Sequence, residues 1–274
     1  MRPLHHSVVS KGSEQISLAR THDHLIPQKH PTTAVMVNSS KEQLSLYEQA
    51  ISDAVDELRY LEEKSRLPRE RETPQIRWAH IEMEDILGYG GFSQVNYVSV
   101  QSPLLEGNHF ALKCLDEKLL KSKSKLKVIE AALDLAVEAD ILSRLNHENI
   151  IALHGVPTIG LVDAAFSEKS VRDYFLLLDV LEETLLDRLQ RWRKHVFLKS
   201  LVRRPLSKKK MLHRIETAAI GVATGMEYLH EKNVVLRDLK PENVGFDKNG
   251  TVKLFDFGFA REAHSVRSDE IAGR

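Results

Sequence analysis

The chain has 274 residues, of which 42% are apolar and 28% are charged, as is usual for a globular protein. Its 39 basic side chains balance 39 acidic ones, so the charge gives no reason to expect binding to nucleic acid or to an anionic membrane. The single cysteine, Cys114, excludes an intrachain disulfide, and no apolar run approaches the roughly 20 residues that cross a bilayer. We therefore expect a cytoplasmic location, with the nucleus as the alternative that short lysine clusters at 121–127 and 208–210 leave open.

Residues 1–38 are polar and lack the periodicity of a helix or a strand, so we expect a disordered tail there. The next segment, 39–74, contains an apolar seam whose members alternate in steps of three and four: Leu44, Tyr47, Ile51, Ala54, Leu58 and Leu61. This spacing predicts an amphipathic helix followed by a linker. The seam is too short for a stable free-standing coiled coil. Two alternatives remain: the helix docks on the domain that follows, or residues 42–66 bind a partner protein.

Beyond Pro74 the pattern changes to short elements of mixed type. Three segments with β-branched or alternating residues, bounded by Gly, Ser and Asn, are typical of strands: 81–90, 93–100 and 109–115. Helical periodicity follows at 128–145 and, with an apolar stripe that includes Leu212 and Leu229, at 211–230. The apolar run 173–181 suits a buried strand, and two short strand-like pieces lie around VVL and VKLFD. This order predicts a small sheet domain that leads into a helical one.

A glycine-rich stretch, LGYGGFSQV, separates the first two predicted strands and contains Gly88, Gly90 and Gly91. Glycines allow backbone N–H groups to approach phosphate oxygens because no Cβ stands in the way. The same glycines are equally typical of a tight hairpin. Taken alone, the loop leaves both interpretations open.

The next strand carries a lysine that needs a partner. Ala111 and Lys113 alternate with Leu112 and therefore lie on one face of the strand. A lysine on a buried face is costly unless it is paired, and the following helix offers Glu138. A buried pair of Lys113 and Glu138 could hold the ammonium group where it contacts a phosphate.

These features together resemble the N-terminal lobe of a protein kinase: the glycine loop, Ala-x-Lys, and a helical Glu before LNHENI. RDLKPEN at 237–243 and Asp-Phe-Gly at 256–258 resemble the catalytic loop and metal-binding motif of serine/threonine protein kinases. The resemblance implies an α+β fold of two lobes over residues 80–274, with an antiparallel N-lobe sheet, one N-lobe helix and a partial helical C-lobe. It also implies transfer of the γ-phosphate of ATP to serine or threonine hydroxyls of protein substrates.

The resemblance assigns a role to each motif residue. Lys113 would contact the α- and β-phosphates, and Asn243 and Asp256 would hold Mg²⁺. Asp238 would accept the proton of the substrate hydroxyl, and Lys240 would neutralise charge on the transferred group. Val95 and Ala111 would cover one face of the adenine, and Leu178 would lie at the back of the pocket. The hinge beside the adenine would consist of Asp179, Val180 and Leu181.

Two positions depart from the family pattern. Leu236 replaces a histidine that is structural in the family, and it would complete a wholly apolar column with Leu142, Leu153 and Phe257. We interpret this change as compatible with activity. Gly245 replaces a leucine that packs under the adenine, so we expect spare room there and tighter ATP binding in Gly245→Leu, by at most roughly 1.5–3 kcal/mol.

The resemblance extends only as far as the start of the activation segment, since the chain ends at Arg274. We therefore expect an incomplete kinase domain, and two alternatives remain. One is a serine/threonine kinase of which this chain is an incomplete copy, and the other is a non-catalytic kinase-like interaction protein. A final expectation concerns regulation: a phosphate on Ser268, or on Ser265, would pair with Arg237. The alternative is that both serines are solvated loop residues.

Overall fold

A computed structural model describes residues 40–70, 72–121, 124–159, 174–201 and 208–263 of the chain. The expected tail at 1–38 and the serines at 265 and 268 lie outside the described residues. Within these ranges, no helix combines the length and the apolar character that a membrane span requires.

The first element is a long helix, α1 (Ser40–Lys64), in the segment where the apolar seam predicts one. Ile51 of the seam is buried, and Leu58 and Leu61 pack against the main hydrophobic core. The helix is therefore docked on the domain that follows, and partner binding through residues 42–66 stays a prediction. The N–H of Ser65 donates to the carbonyl of Leu61 over 2.9 Å, which closes the last turn, and Pro68 then disfavours further helix.

A six-stranded sheet follows, with the spatial order β1-β5-β6-β4-β3-β2. Its strands are β1 (Gln75–Ile76), β2 (Ile81–Tyr89), β3 (Ser93–Val100), β4 (His109–Leu115), β5 (Leu153–Pro157) and β6 (Phe175–Leu178). Every neighbouring pair is antiparallel except the edge pair β1–β5, which is parallel. The predicted antiparallel sheet is thus confirmed, and the residues just after the predicted linker add one short parallel strand to its edge.

Four further α-helices are present in the described residues: α2 (Glu117–Leu120), α3 (Lys125–Ser143), α4 (Leu185–Leu201) and α5 (Lys208–Glu231). The helices α3 and α5 correspond to the two predicted ones. Helix α4 was not predicted, because charged residues separate its few apolar positions. Trp192 within it is nevertheless buried. In α5 the predicted stripe is only partly covered, because Leu229 is buried while Leu212 and Ile215 are exposed.

Five short strands complete the fold: β7 (Glu183–Thr184), β8 (Val234–Val235), β9 (Val244–Phe246), β10 (Val252–Leu254) and β11 (Arg261–Glu262). They form one sheet in the order β10-β9-β7 and a separate antiparallel pair of β11 with β8. The hairpin of β9 and β10 pairs Val244 with Leu254. It therefore brings the residue before β9, Asn243, close to the residues that follow β10, and the N–H of Phe255 donates to the carbonyl of Asn243 over 3.1 Å.

The two faces of the larger sheet belong to different hydrophobic clusters because strand side chains alternate. Ala111 and Val95 contribute to the main core together with α3, the hinge and the catalytic loop. Leu112 lies on the opposite face in a second cluster with Phe175, and Cys114 packs against that cluster. Lys113 thus emerges on the face that adjoins α3.

Candidate active site

Lys113 is the centre of a buried ionic cluster. Its Nζ lies 2.6 Å from Oε2 of Glu138 and 2.9 Å from Oδ1 of Asp256. Burial by itself lowers the pKa of Lys113, but the two carboxylates and their hydrogen bonds more than offset burial and raise it. The ammonium group is therefore charged at any physiological pH. The predicted pair of Lys113 and Glu138 is present, and the structure adds Asp256 to it.

Glu138 also controls the backbone of the Asp-Phe-Gly motif. Its side chain is 2% exposed, and its second oxygen, Oε1, accepts the N–H of Phe257 over 3.2 Å. One carboxylate therefore orients both the lysine and the segment that carries Asp256. Helix α3 supplies this group because Glu138 lies on its buried side, among small and apolar residues.

The catalytic-loop residues form a second polar cluster around Asp238. Its Oδ2 accepts a hydrogen bond from Nζ of Lys240 over 2.7 Å and another from Nδ2 of Asn243 over 2.8 Å. Nδ2 of Asn243 also donates to the backbone carbonyl of Asp238 over 3.0 Å. The hydrogen bond to Asp238 raises the pKa of Lys240. Because two donors occupy Oδ2, the other carboxylate oxygen of Asp238 is the one suited to accept a substrate proton.

Residues with left-handed backbone conformation lie in the first cluster and directly beside the second. Arg237 and Asp256 have φ of 67° each, a conformation that costs non-glycine residues about 1–3 kcal/mol. Such residues persist where neighbouring contacts over-determine the backbone, as the bonds of Lys113 and Glu138 do around Asp256. Residues in such conformations cluster at active sites and switch segments, although Asn233, with φ of 56°, adopts the same region just after the end of α5.

The donor set suits a magnesium ion that is shared with phosphate. Asp256 offers a carboxylate whose side chain is 39% exposed, and the donation by Nδ2 of Asn243 leaves its amide oxygen for a ligand. Mg²⁺ binds through one or two carboxylates together with substrate phosphates rather than in an all-protein cage. The described residues contain no cluster of three or more His, Cys, Asp or Glu side chains that could hold a metal by themselves.

The glycine-rich loop connects β2 and β3 as a tight hairpin whose backbone is accessible. The N–H of Gly90 donates to the carbonyl of Ser93 over 2.7 Å. A Cβ at Gly90 would lie 2.6 Å from Oγ of Ser93, so a larger residue there would displace the serine. A Cβ at Gly88 or Gly91 would meet open space, so those positions leave the backbone accessible. The structure thus contains both features that the sequence left as alternatives, a hairpin and an approachable loop.

The predicted adenine-binding residues lie on the same side of the sheet as the lysine. Val95 pairs with Lys113 across β3 and β4, and Ala111 pairs with Leu178 at the end of β6. Directly opposite residues share one face of a sheet. Val95, Ala111 and Leu178 therefore form an apolar wall beside Lys113, next to the hinge.

The side chain of Asp179 has a structural role that sequence reasoning missed. Its carboxylate accepts the N–H of Ala152 over 2.9 Å, lies 2.7 Å from Nε2 of His154, and pairs with Nζ of Lys253 over 3.2 Å. Burial raises the pKa of Asp179, but these partners, His154 first, lower it overall to about 2. Asp179 therefore joins β5 to β10 across the hinge. Its N–H donates to the carbonyl of Ala152 over 3.2 Å, so its backbone carbonyl is the group left for a nucleotide.

The expected room beneath the adenine is absent, so the prediction for Gly245 is wrong. A Cβ at Gly245 would lie 2.6 Å from Cδ1 of Leu181 and 3.2 Å from Cε1 of Phe255. Leu181, expected only as a hinge residue, turns its side chain into the volume that the family leucine would fill. Leu181 therefore fills, from a different part of the chain, the volume beside Gly245.

The apolar column around Leu236 is fully buried. Leu142, Leu153, Leu236 and Phe257 are each at most 1% exposed, and all belong to the main core. A histidine at position 236 would therefore bring polar atoms into an apolar site. This burial agrees with the interpretation of Leu236 as a packing residue.

Comparison with known proteins agrees with this geometry. Residues 81–273 match the family profile described as protein kinase domain. The human ribosomal protein S6 kinase alpha-1 is 28% identical over 197 residues, which are 71% of this chain and 22% of the relative. The cAMP-dependent protein kinase type 3 of Saccharomyces cerevisiae is 32% identical over 184 residues, which are 66% of this chain and 37% of the relative. The chain thus spans well under half the length of these curated relatives.

Proposed function

The chain belongs to the protein kinase family, and from this premise we propose that it binds ATP with Mg²⁺ and phosphorylates serine or threonine hydroxyls of proteins. The observation that carries the proposal is the double pairing of Lys113 Nζ with Glu138 and Asp256. The charged ammonium group of Lys113 can bind phosphate oxygens. The neighbouring carboxylate of Asp256 can hold the Mg²⁺ that accompanies the phosphates of a nucleotide. The serine/threonine preference rests on Lys240 in the Lys-Pro-Glu-Asn sequence.

The proposed binding mode follows from the two clusters and from the apolar wall beside Lys113. The adenine packs against Val95 and Ala111 and meets the hinge backbone at Asp179 to Leu181. The phosphates extend under the glycine loop, whose N–H groups can donate to them. Lys113 then moves part of its hydrogen bonding from Asp256 to a phosphate, while Glu138 keeps it in place. When bound, Mg²⁺ held by Asp256 and Asn243 would offset the negative charge of the phosphates.

In the transfer step, the substrate hydroxyl oxygen forms a bond to the γ-phosphorus as the bond to the bridging oxygen of ADP breaks. The proton of the hydroxyl passes to the carboxylate of Asp238. Asn243 fixes Asp238 through its two hydrogen bonds, so the carboxylate is oriented before the substrate arrives. Lys240 contributes positive charge beside the transferred group, which accumulates negative charge in the transition state.

The proposal is tested by separating binding from transfer. A thermal-shift titration with ATP and Mg²⁺ should stabilise the wild-type protein and fail to stabilise Lys113→Met and Asp256→Asn. Transfer of labelled phosphate to a generic protein substrate should be lost in Asp238→Asn, whereas the thermal shift with ATP should remain. An ATP-dependent shift that is unchanged in both binding variants would refute the site. Binding without transfer in the wild type would favour a non-catalytic kinase-like protein.

A further inference from the structure

Five residues between α1 and β1 connect parts of the domain that are distant in sequence. We call residues 65–69, with the sequence SRLPR, the clamp. The clamp contacts α3 on one side and β11 on the other. Helix α3 carries Glu138, and strand β11 follows the Asp-Phe-Gly motif.

On the side of β11, the clamp binds Glu262. The hydroxyl of Ser65 donates to Oε1 of Glu262, and the N–H of Arg66 donates to Oε2 over 3.1 Å. Glu262 is only 7% exposed, so loss of these donors would leave a desolvated carboxylate with fewer hydrogen bonds. Glu262 also pairs with Val234 of β8, and β8 leads directly into the catalytic loop. The clamp thereby restrains the chain both after Asp256 and before Asp238.

On the side of α3, the clamp binds the turn that follows Glu138. Nη1 of Arg144 donates to the carbonyl of Leu67 over 2.7 Å, and Nη2 of Arg144 donates to Oδ1 of Asp140 over 2.8 Å. Arg69 lies 3.7 Å from the same carboxylate oxygen. Leu67 itself is buried in the main core. A rotation of α3 that withdrew Glu138 would have to break these contacts.

We propose that the clamp is a positioning element for the active site, with the hydrogen bond of Ser65 to Glu262 as its releasable joint. By joining α3 to β11, the clamp keeps Glu138 within reach of both Lys113 and the N–H of Phe257. Ser65 and Glu262 act through these groups and touch no substrate. The inference rests on the proposed function in one respect only, the assignment of Lys113 to the phosphates.

The joint is sensitive to charge. Glu262 is buried, and a second negative group at Ser65 would lie against it with little solvent to screen the repulsion. A carboxylate, or the larger charge of a phosphate on the Ser65 hydroxyl, would therefore open the joint. Modification of Ser65 should therefore lower the fraction of molecules in which Glu138 pairs with Lys113.

The test uses the full chain and four variants. Ser65→Asp introduces the repulsion, Ser65→Ala removes the donor, and Ser65→Thr keeps the hydroxyl. Ser52→Asp adds the same charge at an exposed position of α1 and serves as the matched control. Two quantities are measured: the Kd for ATP with Mg²⁺, and the pH dependence of Lys113 acylation by an amine-reactive reagent without nucleotide, read by mass spectrometry.

Ser65→Asp should weaken ATP binding by about fivefold or more, and Ser65→Ala should change it in the same direction. When Glu138 withdraws, Lys113 keeps its burial but loses one carboxylate, so its pKa falls and acylation begins at lower pH. Ser65→Thr and Ser52→Asp should match the wild type in both measurements. A general loss of stability would not shift the pH profile of Lys113 acylation in Ser65→Asp and Ser65→Ala while leaving it unchanged in Ser65→Thr.

The inference is overturned if Ser65→Asp is folded and retains both the wild-type Kd and the wild-type acylation profile. If Ser65→Asp does not fold, Ser65→Ala and Glu262→Gln decide by the same two measurements. If the wild type itself does not bind ATP, the proposed function fails. The acylation profile then still decides whether the clamp positions Glu138.

Discussion

The substitution Gly245→Leu tests whether Leu181 forms the floor of the adenine site. The new Cβ would lie 2.6 Å from Cδ1 of Leu181 and 3.2 Å from Phe255, so Leu181 must rotate before the rest of the side chain can fit. Overpacking of this kind typically costs about 1–3 kcal/mol. If the displaced Leu181 turns into the space for the adenine, that cost appears in binding, and ATP affinity falls about 5- to 150-fold.

Isothermal titration with ATP and Mg²⁺ measures the effect, and a parallel melting curve separates it from loss of folding. Gly245→Ala should give a smaller change in the same direction. The double variant Leu181→Ala/Gly245→Leu moves the leucine from one side of the contact to the other, and it should recover most of the affinity. Tighter ATP binding in Gly245→Leu alone would refute the reasoning, because it would require empty space that the structure fills.

Three further substitutions test the ionic clusters and the core. Glu138→Gln should lower the free energy of unfolding by about 3–5 kcal/mol in urea titrations, because it leaves Lys113 in a buried site with one carboxylate fewer. Asp179→Asn should cost about 2 kcal/mol at pH 7, and the difference should shrink between about pH 4 and pH 2, since a lowered carboxyl pKa stabilises the fold only above its ordinary titration range. An equal difference at both ends of that range would contradict the assignment. Leu236→His should reduce stability by about 1–3 kcal/mol, visible as a lower Tm, because the imidazole would enter a wholly apolar site; an unchanged Tm would show that position 236 reaches a polar partner.

Local sequence patterns were sufficient for the catalytic motifs and for most of the elements that carry them. Alternation along β4 placed Ala111 and Lys113 on one face, and helical spacing placed Glu138 on α3, so their pairing was predictable. The apolar seam predicted α1, although it left both docking and partner binding open. In each case the deciding contact lies within one element or between elements whose order follows from the family resemblance.

Tertiary structure alone decided the features in which a residue meets a distant part of the chain. Gly245 appeared to leave a gap because the sequence could not show that Leu181 points into the same volume. The ionic contacts of the Asp179 side chain were missed because nothing local indicates that its carboxylate meets His154 and Lys253. Helix α4 was missed because its charged residues obscure the few apolar ones that pack.

The same distinction explains the clamp. Ser65 and Glu262 are ordinary polar residues in the sequence, and their spacing follows no pattern of a strand, a helix or a known motif. Periodicity reports which face of an element is buried, because that is a property of neighbours along the chain. Which buried group meets which partner depends on packing between elements, where side-chain volume and hydrogen-bond satisfaction select among arrangements that the sequence pattern leaves equal.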